Sequence, residues 1–172
     1  MVTLTTPRLI LRPHRLNDFD DSFALWSDAL VARFIGGRPS TREEVWSRLL
    51  RYAGHWDLLG FGYFVAHERD SGRFVGEAGL ADFHRELEPD FGDTPECGWA
   101  FVPSAHGKGF ATESVTAILN WRDQTLTGNR TVCLVAPDNV ASIRVAEKTG
   151  FRAYAEADYK GNPSVLMERL ST

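Results

Sequence analysis

Residues 102–113 read VPSAHGKGFATE, and they join a predicted strand, residues 96–102, to a predicted helix that begins at Gly109. The first N–H groups of a helix have no partner within it, and the helix dipole adds partial positive charge at that end. Glycines allow the backbone to approach a ligand without a Cβ in the way. The segment is therefore predicted to bind an anion, and we call it the cradle: His106, Gly107, Lys108, Gly109, Phe110, Ala111 and Thr112.

Outward from the cradle, the hydrophobic pattern alternates between the periods of helices and strands. It predicts helices at residues 17–30, 41–58, 109–125 and 141–148, and strands at 9–11, 61–67, 73–83, 96–102, 131–135, 151–159 and 164–169. This order predicts a mixed α/β fold around one sheet, in a single domain that spans residues 1–172.

The cradle on its own is compatible with more than one ligand. It lacks the spacing of a Walker A loop, and Thr112 stands where a Rossmann fingerprint has its third glycine. A nucleotide-binding protein that uses the same backbone groups is one alternative, and a turn that binds nothing is another.

Composition limits the class of protein. The 172 residues carry a formal net charge of −4, and no lysine- or arginine-rich run appears, so we expect no nucleic-acid partner. No stretch approaches the roughly 20 apolar residues of a membrane span, so we expect a cytoplasmic protein with no membrane partner. Cys97 and Cys133 lie in separate apolar runs and are expected in the core, and no cluster of histidines or cysteines has metal-ligand spacing.

Three motifs, in the correct order, resemble the GNAT acetyltransferase superfamily. Gly107 and Gly109 match the glycines of its coenzyme-A signature, Q/R-x-x-G-x-G/A, whereas Ser104 departs from its first position. The run Gly107–Glu113 resembles the form common in the ribosomal-protein (RimJ/RimL-like) N-acetyltransferase branch. Residues 6–13, TPRLILRP, and residues 139–151, NVASIRVAEKTGF, resemble two further motifs of that branch, so the resemblance covers nearly the whole chain.

The resemblance implies a mostly antiparallel central sheet that splays between the strands at 96–102 and 131–135, with helices on both faces. It implies acetyl-CoA as the cosubstrate and no metal, with the pantetheine arm in the splay and the pyrophosphate on the cradle. The implied contacts beyond the cradle are the backbone at Phe101 and Val102, together with Asn139 and Ser142.

The family's chemistry is direct attack of an amine on the thioester, and the amine must first lose a proton to a base. Glu96 is the first candidate, because an acidic residue near this place is frequent in the branch. Glu77 is the second, because it interrupts an apolar strand in which a charge needs a reason. Ser142 is the candidate proton donor to the departing thiolate, since Ala146 stands where many family members have a tyrosine.

We therefore expect an acetyl-CoA-dependent N-acetyltransferase that acts on a primary amine, either a protein N-terminal α-amine or a small molecule, as a monomer or homodimer. The negative net charge weakly favours a cationic acceptor. The alternative is a coenzyme-A-binding module or sensor without transferase activity, which would keep the cradle and lack a base.

Overall fold

The computed structural model describes residues 2–171, which form one eight-stranded sheet with five α-helices. The strands are β1 (Leu4–Thr5), β2 (Leu9–Pro13), β3 (Tyr63–Glu68), β4 (Phe74–Ala81), β5 (Glu96–Phe101), β6 (Arg130–Val135), β7 (Arg152–Tyr159) and β8 (Asn162–Leu170). The helices are α1 (Phe19–Trp26), α2 (Ala29–Ala32), α3 (Arg42–Leu59), α4 (Phe110–Thr125) and α5 (Val140–Lys148). The strand order is β1-β2-β3-β4-β5-β6-β8-β7.

The sheet splits between β5 and β6, its one parallel pair within residues 2–171. β4 and β5 pair along their length, from Gly76 opposite Phe101 to Ala81 opposite Glu96. β5 and β6 pair only where Glu96 lies opposite Val132, so the strands diverge from there toward Phe101. This confirms the predicted mostly antiparallel sheet and the place of its splay.

Helices cover both faces of the sheet, because side chains of a strand alternate between the faces. On one face, Ile118 and Leu119 of α4 belong to the same buried cluster as Phe64 and Leu80. On the opposite face, α1 and α3 pack over β3 and β4, and the ring of Tyr52 in α3 stacks on β3. The predicted layers are therefore confirmed.

Local capping explains the helix ends. Thr41 and Glu44 form a reciprocal capping box at the start of α3, as the sequence indicates. The prediction of one continuous helix over residues 17–30 is wrong. The Asp28 side chain accepts the N–H groups of Leu30 and Val31 at 2.8 and 3.3 Å, so a separate helix, α2, starts there.

Within residues 2–171, no helix combines the length and the apolar character that a membrane span needs. Cys97 and Cys133 are both buried and neither forms a disulfide, which confirms the expected core position. The described part of the chain holds no group of three histidine, cysteine or acidic side chains placed to bind a metal ion.

Candidate active site

The cradle follows β5 and a short 3-10 turn, Pro103–Ala105, and leads directly into α4. Gly107 and Gly109 have φ angles of +73° and +80°, in the left-handed region that a Cβ disfavours. The first bond of α4 runs from the Glu113 N–H to the Gly109 carbonyl at 3.0 Å. Within residues 2–171, the N–H groups of residues 107–112 have no recorded backbone acceptor, so they are available to an anion.

Arg8 holds the cradle from behind. Its guanidinium donates to the Lys108 carbonyl at 2.8 Å and lies 4.7 Å from the centre of the Phe110 ring. It also pairs with Glu113, whose carboxylate accepts from the Thr6 hydroxyl at 2.6 Å. Burial alone would raise the pKa of Glu113, but the hydrogen bonds from Thr6 and Arg8 outweigh it and lower the pKa. Arg8 therefore neutralises a carboxylate that would otherwise repel an anion at this helix end.

At alternate residues of β5, the backbone N–H and C=O groups point toward the split. The Val102 N–H donates to the Val75 carbonyl of β4 at 3.0 Å, so this group is not free for a ligand. Because backbone groups alternate along a strand, those of Trp99 and Phe101 point to the other edge, toward the split. The Phe101 carbonyl lies 2.8 Å from the His106 ring, which therefore joins the cradle to the strand.

Asn139 and Ser142 lie across the split from β5, at the start of α5. The Asn139 side-chain oxygen accepts the Ser142 N–H at 3.1 Å and caps the helix. The Trp99 indole N–H donates to the Ser142 hydroxyl oxygen at 3.3 Å, which ties α5 to β5. Ser142 accepts in that bond, so its own proton is free to be donated.

Glu96 lies at the closed end of the split, with 6% of its surface exposed. Both of its carboxylate oxygens accept from Arg85, at 2.5 and 2.8 Å. It also lines a cavity of about 230 Å³ between residues 81–85 and 90–94. Glu96 is therefore a charged group with access to solvent space beside β5.

Glu77 lies on the same face of the sheet but is fully buried. Its oxygens accept from the Ser22 hydroxyl at 2.5 Å and the Trp26 indole at 2.7 Å, and His14 lies 3.1 Å away. Burial alone would raise the pKa of Glu77, but attraction to His14 and these hydrogen bonds outweigh it, so the pKa is lowered. A carboxylate held this way anchors α1 on β4, and it is the weaker of the two candidate bases.

Tyr63 is a feature of the site that sequence reasoning missed. Tyr63 lies opposite Gly79 of β4, and Gly79 in turn lies opposite Gly98 of β5. A Cβ on Gly98 would lie 2.0 Å from the Tyr63 hydroxyl, so the ring crosses β4 and ends against β5. Burial raises the pKa of the phenol well above its ordinary value. Two glycines inside apolar strands are the sequence signal for such a close approach.

The fold thus gathers Glu96, Ser142 and the groups of β5 around the split, with the cradle at the open end of β5. Gly98 lies between the two carboxylates, two residues from Glu96 and, through its partner Gly79, two residues from Glu77. Only Glu96 has solvent space beside it, because Glu77 is closed off by α1.

Known proteins match the chain over most of its length. The model of the acetyltransferase (GNAT) domain matches residues 8–152. YkkB, an uncharacterized protein of Bacillus subtilis (strain 168), is 30% identical over 173 residues, which cover 98% of this chain and 95% of YkkB. YnaD, an uncharacterized N-acetyltransferase of the same organism, is 28% identical over 87% of this chain and 82% of its own length. The structure of a putative GnaT-family acetyltransferase from Bordetella pertussis is 34% identical, with a TM-score of 0.87 over 98% of this chain and 99% of that one.

Proposed function

Because the chain belongs to the GNAT acetyltransferase family and is an N-acetyltransferase, we propose that it transfers the acetyl group of acetyl-CoA to a primary amine by direct attack on the thioester. The observation that carries the proposal is that two binding features lie next to each other along the chain. The split beside β5 offers unpaired strand edges, and the cradle that follows offers N–H groups to a diphosphate.

The fold alone does not identify the acceptor amine. Two structures that share it, at 18% and 15% identity, are titled as a spermidine N-acetyltransferase from Vibrio cholerae and as RimL, a ribosomal alpha-N-protein acetyltransferase. These names cover both kinds of amine that the sequence leaves open, a small molecule and a protein N-terminus. The proposed membership of the RimJ/RimL-like branch is supported by the sequence motifs at residues 6–13, 107–113 and 139–151.

The proposed cosubstrate contacts follow from the geometry of the described residues. The N–H groups of residues 107–112 would bind the pyrophosphate, and the edge of β5 at Trp99 and Phe101 would bind the pantetheine arm. Asn139 and Ser142 would contact its thioester end from the α5 side. Acetyl-CoA supplies the activated acetyl group as a thioester.

In the proposed reaction, a bond forms between the amine nitrogen and the acetyl carbon, and the carbon–sulfur bond breaks. Glu96, directly or through a water in its cavity, takes the proton that the amine loses. Ser142 donates a proton to the sulfur and regains one from solvent, to which Glu96 releases the proton it has taken. Tyr63 is a second hydroxyl close to β5. The products are the N-acetylated amine and free coenzyme A.

The test is release of free thiol from acetyl-CoA with a panel of primary amines: small amines, amino acids and peptides with free N-termini. The proposal predicts amine-dependent thiol release with at least one class, and mass spectrometry should show an added acetyl group on that amine. Tight binding of coenzyme A without amine-dependent release from any acceptor would favour the alternative, a binding module or sensor.

A further inference from the structure

Three arginines gather on the α1 and α3 side of the sheet, beside β5. Arg85 is neutralised by Glu96. Arg48 and Arg51 of α3 have no carboxylate within salt-bridge distance among residues 2–171. Among the described residues, Arg48 makes one side-chain hydrogen bond, to a neutral acceptor, the Tyr52 hydroxyl, at 3.3 Å. Among the described residues, neither guanidinium therefore forms an ion pair, and Glu77 acts on Arg48 only beyond salt-bridge distance.

Stacked aromatic rings place Arg48 next to the reacting strand. The Tyr63 ring reaches from β3 to Gly98 of β5, and the Tyr52 ring stacks on it with centres 4.2 Å apart and planes at 3°. Arg48 donates to the hydroxyl of Tyr52, so it contacts the ring that stacks on Tyr63, whose hydroxyl ends against Gly98. The Arg48 guanidinium covers the Trp26 indole at 3.8 Å on its other side.

Arg51 is placed by a second aromatic contact. Its guanidinium lies 4.9 Å from the centre of the Phe83 ring, and Arg85 lies 4.8 Å from the same ring. Phe83 therefore spaces Arg51 from the Arg85–Glu96 pair. The Arg51 side chain is exposed; partial burial of its guanidinium lowers its pKa, and repulsion from Arg48 and Arg85 adds to that lowering.

This arrangement is unfavourable for the protein alone. The Arg48 Nε atom is buried and has no hydrogen-bond partner within the described residues. A buried donor without an acceptor destabilises the protein, because it has lost its hydrogen bonds to water. Burial alone would lower the pKa of Arg48, but Tyr52 and Glu77 outweigh it and raise the pKa. Glu77 makes no hydrogen bond to Arg48 among the described residues, and its oxygens accept from Ser22 and Trp26. A ligand that brings an anionic group would supply the missing acceptor.

We propose that the acceptor of this transferase is an amino acid, whose carboxylate binds to Arg48 and Arg51 while its amine lies at β5 beside Glu96. The inference rests on the proposed function and names its substrate class. The guanidinium fork matches a carboxylate in two parallel hydrogen bonds, which a neutral amide or a second amine cannot form. A polyamine would meet repulsion from the two unpaired arginines.

The experiment compares free amino acids with their carboxamides, which keep the amine and lose the negative charge. Thiol release from acetyl-CoA is measured for the 20 L-amino acids, for ω-amino acids and for the matching amides. The proposal predicts that kcat/KM for at least one amino acid exceeds that of its amide by about ten-fold or more. Arg48→Gln and Arg51→Gln should each raise KM for that amino acid by a similar factor and reduce its preference over the amide, with KM for acetyl-CoA unchanged.

Arg42→Gln is the matched control, because Arg42 is on the same helix, is exposed and also stacks on an aromatic ring, 4.8 Å from the centre of Phe19. It should change none of these values. Arg48→Lys keeps the charge and loses the guanidinium fork, so it should give a KM between those of wild type and Arg48→Gln. It also provides a test if Arg48→Gln folds poorly. Amides or peptides acetylated as well as free amino acids would overturn this inference and leave the proposed function standing. The absence of thiol release with every amine would contradict both.

Discussion

Each oxygen of Glu96 accepts a hydrogen bond from Arg85, and the pair lies beside the point where β5 and β6 stop pairing. The guanidinium fixes the position of the carboxylate, and the adjacent cavity gives room for a water between it and an amine. A base in this position can accept a proton from one side while Arg85 holds it from the other.

We expect Glu96→Gln to lower kcat by about 100-fold or more, which is the usual contribution of a general base. KM for acetyl-CoA should stay unchanged, because the cradle is not altered. The remaining activity should increase with pH, since only an amine that has already lost its proton can react. Steady-state kinetics across pH measures both effects.

Asp123→Asn is the control for Glu96→Gln. It removes another carboxylate that is paired through both oxygens, here with Arg169 at 2.6 and 3.1 Å, in the last turn of α4. A thermal melt of both variants checks that they fold. An unchanged kcat in Glu96→Gln would rule out Glu96 as the base.

The sequence ranks Glu96 first through the family resemblance, and Glu77 second because a charge in an apolar strand is conspicuous. The sequence does not predict the hydrogen-bond partners that distinguish the roles of the two carboxylates. Arg85 and Glu96 meet across a loop, and Ser22, Trp26 and Glu77 meet only after α1 packs on β4. The arginines of α3 were missed for the same reason, since their place depends on the sheet register that carries Tyr63 to β5.

Among the elements, the cradle, α4 and the segment before β2 act as one unit. Arg8 and Thr6 reach across from the start of the chain to Glu113 and the cradle backbone. This explains why a motif at residues 6–13 accompanies one at residues 107–113: the first supports the second. The cradle depends on backbone direction, so its glycines are the positions to test.

We expect Gly107→Ala to weaken acetyl-CoA binding by about ten-fold, because a Cβ at φ +73° strains the backbone that carries the N–H groups. Gly72→Ala is the matched control. Gly72 has a φ of +69°, and a Cβ at either glycine would meet no atom within 4 Å. Both variants should lose about 1–2 kcal/mol of stability. Calorimetric titration should show a loss of affinity in Gly107→Ala alone, and equal affinity in the two variants would argue against the cradle.

Element positions were largely predictable, and the failures have local causes. The helix at residues 17–30 has an unbroken apolar pattern, but the Asp28 cap competes with helix continuation. β1 was not predicted, because Leu4–Thr5 is too short to show a period. The split was expected only through the family resemblance, since nothing in β5 or β6 taken alone indicates that they diverge.

For the molecule as a whole, the net charge and the distribution of charge favour different acceptors. The chain carries −4 overall, yet the fold gathers Arg48, Arg51 and Arg85 on one side of β5. Negative side chains form ion pairs in other parts of the fold, such as Glu113 with Arg8. The distribution of charge over the folded surface, and not its sum, is what an acceptor meets.

Glu77 links α1 to the central sheet, so we expect Glu77→Gln to lower the free energy of unfolding at neutral pH by about 3–5 kcal/mol. The folded-state pKa of Glu77 lies below its ordinary value of 4.5. Its ionised form therefore stabilises the protein above that value, and this contribution is lost as the pH falls from 4.5 through the folded-state pKa. Urea denaturation at several pH values should show the difference between wild type and variant shrinking in acid. The exposed Glu147→Gln should match wild type, and equal stability of Glu77→Gln at neutral pH would contradict the anchoring role.

The most direct measurement is the thermal stability of the protein with acetyl-CoA, ATP or NAD, each at the same concentration. A ligand at about 100 times its Kd adds about 2.7 kcal/mol of stability. For a chain of this size, each kcal/mol corresponds to roughly 2–4 °C in Tm. We predict a clear rise in Tm with acetyl-CoA and none of that size with ATP or NAD. A rise with either nucleotide and no rise with acetyl-CoA would contradict the account.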